Sequence, residues 1–166
     1  MTMELFLQYS WQISVGLLLP VFIAFVACIG FGIVFNIRDS NLLISGLGGA
    51  LAWMVYLVVV HYSNDILACF AGGFAISLYS EILARIQRTP STCFLIVGLL
   101  PLVPGAGVYY TMKQFVQGQY MQFAERGVNT LACAGAIALG VMWVISMVRM
   151  QMHISALLRR KRQQNQ

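Results

Sequence analysis

The residues with most to offer chemically lie in the string Leu99-Leu100-Pro101-Leu102-Val103-Pro104-Gly105-Ala106-Gly107-Val108-Tyr109-Tyr110. Two prolines three apart remove two backbone donors and press on preceding carbonyls, and the two glycines lower helix propensity further. A helix restarting near Pro104 or Gly105 would have proline in its first turn, where it is tolerated. The N–H groups of Gly105, Ala106 and Gly107 would then lack intrahelical acceptors and sit at the positive end of a helix dipole. Such an end binds carboxylates. Tyr109 and Tyr110, one turn on, offer hydroxyl hydrogen bonds. Pro104, Gly105, Ala106, Gly107, Tyr109 and Tyr110 are therefore candidate substrate-binding residues. The competing reading is a proline kink that only shapes packing.

Other polar side chains in apolar surroundings extend the candidate set. Asn129 and Thr130, close to Arg126, could line an outer vestibule, although helix capping and interhelical hydrogen bonds explain them equally well. Glu81 is a candidate for proton coupling, because a carboxylate inside a membrane segment is costly. Its bland alternative is an i, i+4 ion pair with Arg85. Asn36 is a pore-lining candidate and, on the other reading, a helix C-cap. His61 sits at an interface and reads as solvated.

These residues need helices to carry them, and the composition says where those helices lie. Of 166 residues, 60% are hydrophobic and only 9% charged, with a mean hydropathy of +0.80. A soluble domain carries about a quarter charged residues, so this chain cannot cover a water-facing surface. Five segments are apolar and long enough to cross a bilayer, near 13–35, 42–61, 66–84, 93–115 and 128–150. The expected fold is an all-α integral membrane bundle of about five transmembrane helices, the fourth interrupted at Pro101–Gly107. It forms a single domain over 1–166 with a basic tail at 151–166. The break falls near the middle of its span, where irregular backbone must be buried in protein or line a polar cavity.

Glu4 stands where a signal peptide would be basic, so the first span is not read as cleavable. Tyr9 and Trp11 suit an interfacial belt. Residues 36–41 make a polar turn, Ser63-Asn64-Asp65 another, and Thr89-Pro90-Ser91 breaks the chain with Ser91 as a possible cap. The stretch near 116–127 reads as the longest loop. Arg38, Arg85, Arg88 and the run Arg159–Arg162 fall on one side of the membrane, Lys113 and Arg126 on the other. The positive-inside rule then puts the N-terminus outside and the C-terminus in the cytoplasm. Small residues at i, i+4 (Gly46/Ala50, Gly48/Ala52, Gly73/Ser77, Ala132/Ala136/Gly140) predict close helix packing.

Several function classes are disfavoured. The net charge of +5 is concentrated in the terminal basic run, without the aromatic interleaving of a nucleic-acid surface, so no nucleic-acid partner is expected. Cys28, Cys69, Cys93 and Cys133 are far apart in apolar stretches with no metal-ligand spacing and read as small apolar residues. No metal or cofactor is expected. No Ser/His pair, Asp dyad or HExxH argues for an enzyme.

Four sequence strings carry a resemblance. Gly-Phe-Gly-Ile-Val-Phe-Asn (30–36), Ser-Glu-x-x-Ala (80–84), Pro-Ser-x-x-Phe (90–94) and Pro-Leu-Val-Pro-Gly-Ala-Gly-Val-Tyr (101–109) resemble the threonine/serine exporter family. They are most similar to the C-terminal half that also occurs as a separate small subunit. The proline–glycine string is the most specific. The resemblance spans about 25–150 and implies a bacterial inner-membrane transporter driven by the proton motive force. It also implies a larger membrane subunit carrying the other five-helix half and a soluble N-terminal region, with which this half would form an inverted pair. The implied cargo is a small carboxylate, either threonine/serine or a C4-dicarboxylate such as succinate. The alternative is an assembly subunit that completes the bundle without a substrate site of its own.

Overall fold

The computed structural model describes the backbone of residues 2–37 and 40–164, and the side chains of 18–37 and 41–151. Arg38 and the side chains of Tyr9, Trp11 and the basic tail therefore lie outside what is described. The chain is helical along nearly its whole course: α1 (Thr2–Val34), α2 (Ser40–Tyr62), α3 (Asp65–Gln87), α4 (Ser91–Leu99), α5 (Gly105–Val116) and α6 (Tyr120–Gln164). A 3-10 turn, Leu100–Leu102, follows α4 directly. Among the described residues, Asn41–Tyr62, Asp65–Gln87 and Tyr120–Gln151 are each long and apolar enough to cross a membrane. Ser91–Leu102 and Gly105–Val116 together make a fourth such path, bent by 46°. The described apolar part of α1, Leu18–Val34, is shorter, and its helical backbone continues back to Thr2 with Pro20 inside it. The bundle is all-α, with the interruption where the prolines and glycines require one.

The helix ends follow local chemistry. Asn36 takes a left-handed conformation (φ 57°), its N–H bonds the Ile33 carbonyl, and the Ile37 N–H bonds that of Gly32. That pattern is a Schellman cap closing α1, and asparagine tolerates the positive φ. Arg88 (φ 53°) ends α3 in the same way, its N–H returning to Ala84, with Pro90 just beyond. Ser91 does not cap α4. It is the helix's first residue, and Pro90 occupies the preceding position without a side-chain cap. The expected 116–127 loop shrinks to residues 117–119, turned at Gly118 (φ 73°), because α6 begins at Tyr120.

Three helices form the core. α3 and α6 run parallel in a register fixed by small residues: a β-carbon on Gly73 would lie 2.8 Å from the Ile137 carbonyl oxygen. One on Gly140 would lie 2.5 Å from that of Phe70. Ser77 Oγ donates to the Val141 carbonyl along the same seam. α2 lies antiparallel to α3, with Tyr79 donating to the Ile44 carbonyl at 2.7 Å. Packing at the seam joins Ala52, Cys69, Ile76, Leu102, Cys133, Ala136 and Ile137 into one apolar cluster. The small-residue stripes thus do what lipid-embedded helices need, letting backbones approach where no hydrophobic force drives them together.

This register also places the break. Pro101 lies beside Gly49 and Leu102 against Gly72, in the half of α3 that begins at Asp65. α5 then leaves α2 and α3 and packs along α6, so the restart lies nearer the Asp65 end of the bundle than its middle. The sequence places it by counting along one span, but the 46° bend at the break carries α5 outward.

Candidate functional site

The break resolves into three pieces. α4 ends in the 3-10 turn, Val103 is extended, and Pro104 (φ −76°, ψ 55°) makes an inverse γ-turn in which the Gly105 N–H bonds the Val103 carbonyl at 2.7 Å. The first α-helical bond of α5 runs from the Val108 N–H to the Pro104 carbonyl. Pro104 is thus the N-cap rather than a first-turn residue, and Gly105 already has its acceptor. The donors of the first turn available to a ligand are those of Ala106 and Gly107.

One face of α5 meets one face of α6. Gly107, Thr111 and Gln114 recur at i, i+4, i+7 and oppose Gln122, Arg126 and Thr130. Gly107 lies against Thr130, and Gly127 against Thr111. Thr111 and Thr130 each turn their hydroxyl back to the carbonyl four residues earlier, both at 2.7 Å. Between the helices lies a cavity of about 550 Å³ lined by Gly107 and Gln114 from α5 and by Gln122, Glu125, Arg126, Asn129 and Thr130 from α6.

Arg126 is held in place. Its Nε–H donates to the amide oxygen of the buried Gln114 at 3.0 Å, in the amide orientation that also lets the Gln114 nitrogen donate to the Gln122 carbonyl. Its guanidinium carbon stands 5.7 Å from the centre of the Tyr110 ring, a cation–π distance. With Nε engaged, a bidentate contact to a carboxylate falls to the two terminal nitrogens. Among the described residues no ion pair joins Glu125 to Arg126, so both charges line the same cavity separately.

The sequence candidates divide accordingly. Gly107, Asn129 and Thr130 line the cavity, and Tyr110 flanks Arg126. Tyr109 packs edge-on against Tyr110, 5.3 Å between centroids, and stands outside the lining with Pro104, Gly105 and Ala106. Asn36 and Glu81 lie toward the opposite end of the bundle, Asn36 in its cap and Glu81 with no ion pair to Arg85 among the described residues. The residues the sequence reading missed are Gln114, Gln122 and Glu125. Their helical spacing is visible only once 120–127 is read as helix, and the polarity around Gly118 and Gly127 argues locally for a loop.

A second polar cluster was also hidden. Asp65, expected in a turn, is the first residue of α3, and its Oδ1 accepts the Tyr56 hydroxyl at 2.6 Å. Its Oδ2 accepts the Cys133 thiol at 3.4 Å, and the Cys69 sulfur is within 4.8 Å of both groups. Two of the four cysteines expected as isolated fillers, Cys69 and Cys133, are in fact gathered around a carboxylate. A further cavity of about 380 Å³, between α1, α2 and Pro101, is lined by apolar groups including Phe31 and Trp53 and gives an anion nothing to bind.

A family model described as Threonine/Serine exporter, ThrE matches residues 20–147. The "Threonine/serine exporter" of Corynebacterium glutamicum is 26% identical over 113 residues, which cover 66% of this chain and 23% of that protein. The chain thus spans under a quarter of the length of this curated relative. No solved structure matches it.

Proposed function

Because the chain belongs to the threonine/serine exporter family, a family of membrane transporters, we propose that it forms one half of a secondary exporter for a small hydroxy amino acid. The observation that carries this reading is the α5–α6 cavity, lined by Arg126 and by Gly107 in the first turn of α5, which could meet an anion, and by Glu125, which could meet a cation. A zwitterion has a carboxylate for the first and an ammonium for the second. A C4-dicarboxylate such as succinate would meet Glu125 with a like charge. The chemistry therefore favours threonine or serine. The name of the curated relative agrees with that choice.

The reading includes a partner. Gln122, Glu125, Arg126 and Asn129 are exposed, and polar side chains near lipid require a covering surface or water. A larger membrane subunit carrying the other five-helix half would close the cavity and pair with this chain in inverted topology. In this scheme the complex sits in the bacterial inner membrane with the Asp65 end outside, the C-terminus in the cytoplasm and the proton gradient as driving force.

The test is export by the co-expressed pair. Arg126→Gln should raise the KM for threonine at least about tenfold, the scale of a charge-assisted hydrogen bond, whereas Arg149→Gln should leave it unchanged. Glu125→Gln should weaken threonine export and relatively favour succinate. If Arg126→Gln and Glu125→Gln both export at wild-type rates from an assembled complex, this chain completes the bundle without a site of its own.

A further inference from the structure

We propose that Asp65 is the proton-carrying carboxylate of this half, held at the junction of α2, α3 and α6 by Tyr56 and Cys133. The proposal rests on the exporter reading above and names the group that would couple it to protons.

The geometry at Asp65 differs from that of a surface carboxylate. The side chain is half-buried, next to Cys69 and Cys133, which are 4% and 3% exposed. The groups facing it are the Tyr56 hydroxyl from α2, the Cys69 thiol from its own helix and the Cys133 thiol from α6. All three are neutral groups at ordinary pH, and Tyr56 and Cys133 donate to the carboxylate. Among the described residues no ion pair reaches Asp65, so its charge has no cationic partner. A half-buried carboxylate without a cation beside it, where three helices of a membrane bundle meet, is a candidate functional group. Its position at the start of α3 offsets part of that cost through the helix dipole.

Both protonation states fit the same three side chains. Ionised, the carboxylate accepts the Tyr56 O–H at Oδ1 and the Cys133 S–H at Oδ2. When one proton binds Oδ2, Tyr56 still donates to the carbonyl oxygen Oδ1, and the new O–H can donate to the Cys133 sulfur. The states differ by one proton and one charge, and the carboxyl group keeps a hydrogen bond at each oxygen. Cys133 follows Asn129 and Thr130 on α6 by one turn, so the charge change occurs one helical turn from the cavity wall. A shift of α6 against α3 would be felt at both places. Among the described residues Glu81, the coupling candidate by sequence, is not held by donors from two neighbouring helices in this way.

The experiment uses the full chain purified with its partner in proteoliposomes, with labelled threonine and an imposed proton gradient. Asp65→Asn keeps the size and hydrogen-bonding shape but cannot carry a proton. It should reduce gradient-driven uphill transport at least about tenfold while threonine exchange at equal concentrations stays within about twofold. Asp65→Glu should retain both activities. Infrared difference spectra of the complex with and without the imposed proton gradient should show a carboxylic C=O band that Asp65→Asn removes. Wild-type uphill transport by Asp65→Asn, or loss of exchange together with uphill transport in an assembled complex, would overturn the assignment. If the wild-type complex exchanges no threonine, serine or succinate, the exporter reading fails. The infrared band then decides Asp65 on its own: presence supports it and absence refutes it.

Discussion

A β-carbon placed on Gly107 would lie 2.7 Å from Oγ1 of Thr130, so α5 and α6 touch where the half-helix begins. That hydroxyl is committed to the Arg126 carbonyl. One glycine therefore sets how near the first turn of α5 comes to the face that carries Arg126.

The glycines of the break should consequently behave differently. Gly107→Leu should abolish threonine export while the complex still assembles, because the half-helix is pushed off α6. Gly107→Ala should be partly impaired and rescued by Thr130→Ala, which removes the opposing atoms. Gly105 has nothing within 4 Å of an added β-carbon, so Gly105→Ala should export normally. Initial export rates for the four variants, with membrane abundance measured in parallel, check this. Equal effects at Gly105 and Gly107 would contradict it.

Gln114 acts through Arg126. Gln114→Leu keeps the volume but removes the acceptor that fixes the Arg126 Nε–H. The guanidinium should then lose its fixed orientation, raising the KM for threonine by roughly tenfold with a smaller change in kcat. Rescue by Gln114→Glu, which restores an acceptor, separates loss of positioning from loss of packing. Transport kinetics of the three proteins read the difference.

The α3–α6 seam should tolerate nothing larger than glycine at two positions. A β-carbon added to Gly73 or Gly140 would lie 2.8 or 2.5 Å from backbone oxygen of the opposing helix, and backbone cannot swing aside. Gly140→Leu should cost well above the usual ~1–3 kcal/mol of overpacking and sharply lower the thermal midpoint in detergent. Gly30→Leu, at a glycine with open space around it, should change the midpoint little. Differential scanning fluorimetry of the purified chain distinguishes them.

Orientation is open to chemical labelling. Met121 lies at the start of α6, 85% exposed, at the Asp65 end, and Cys93 is exposed near the start of α4 at the other. In intact cells a membrane-impermeant maleimide should label Met121→Cys but not Cys93, and inverted vesicles should reverse the pattern. The opposite result would invert the topology and move the cavity to the cytoplasmic side.

The sequence by itself determined the membrane setting, the all-α class and the position of the break along the chain. Those properties depend on local runs of apolar residues and on prolines and glycines that no environment can make helical at low cost. It also named Gly107, Asn129 and Thr130, because each is unusual against its immediate neighbours. What only the tertiary structure decided was juxtaposition. The register of α3 against α6, set by Gly73 and Gly140, brings Cys133 to Asp65 across 68 positions of sequence. The continuation of α6 back to Tyr120 turns a supposed loop into a wall carrying Gln122, Glu125 and Arg126. Pairings of this kind depend on which faces close on each other. Hydropathy does not encode that choice, because in lipid it comes from packing of small residues and from hydrogen bonds between helices.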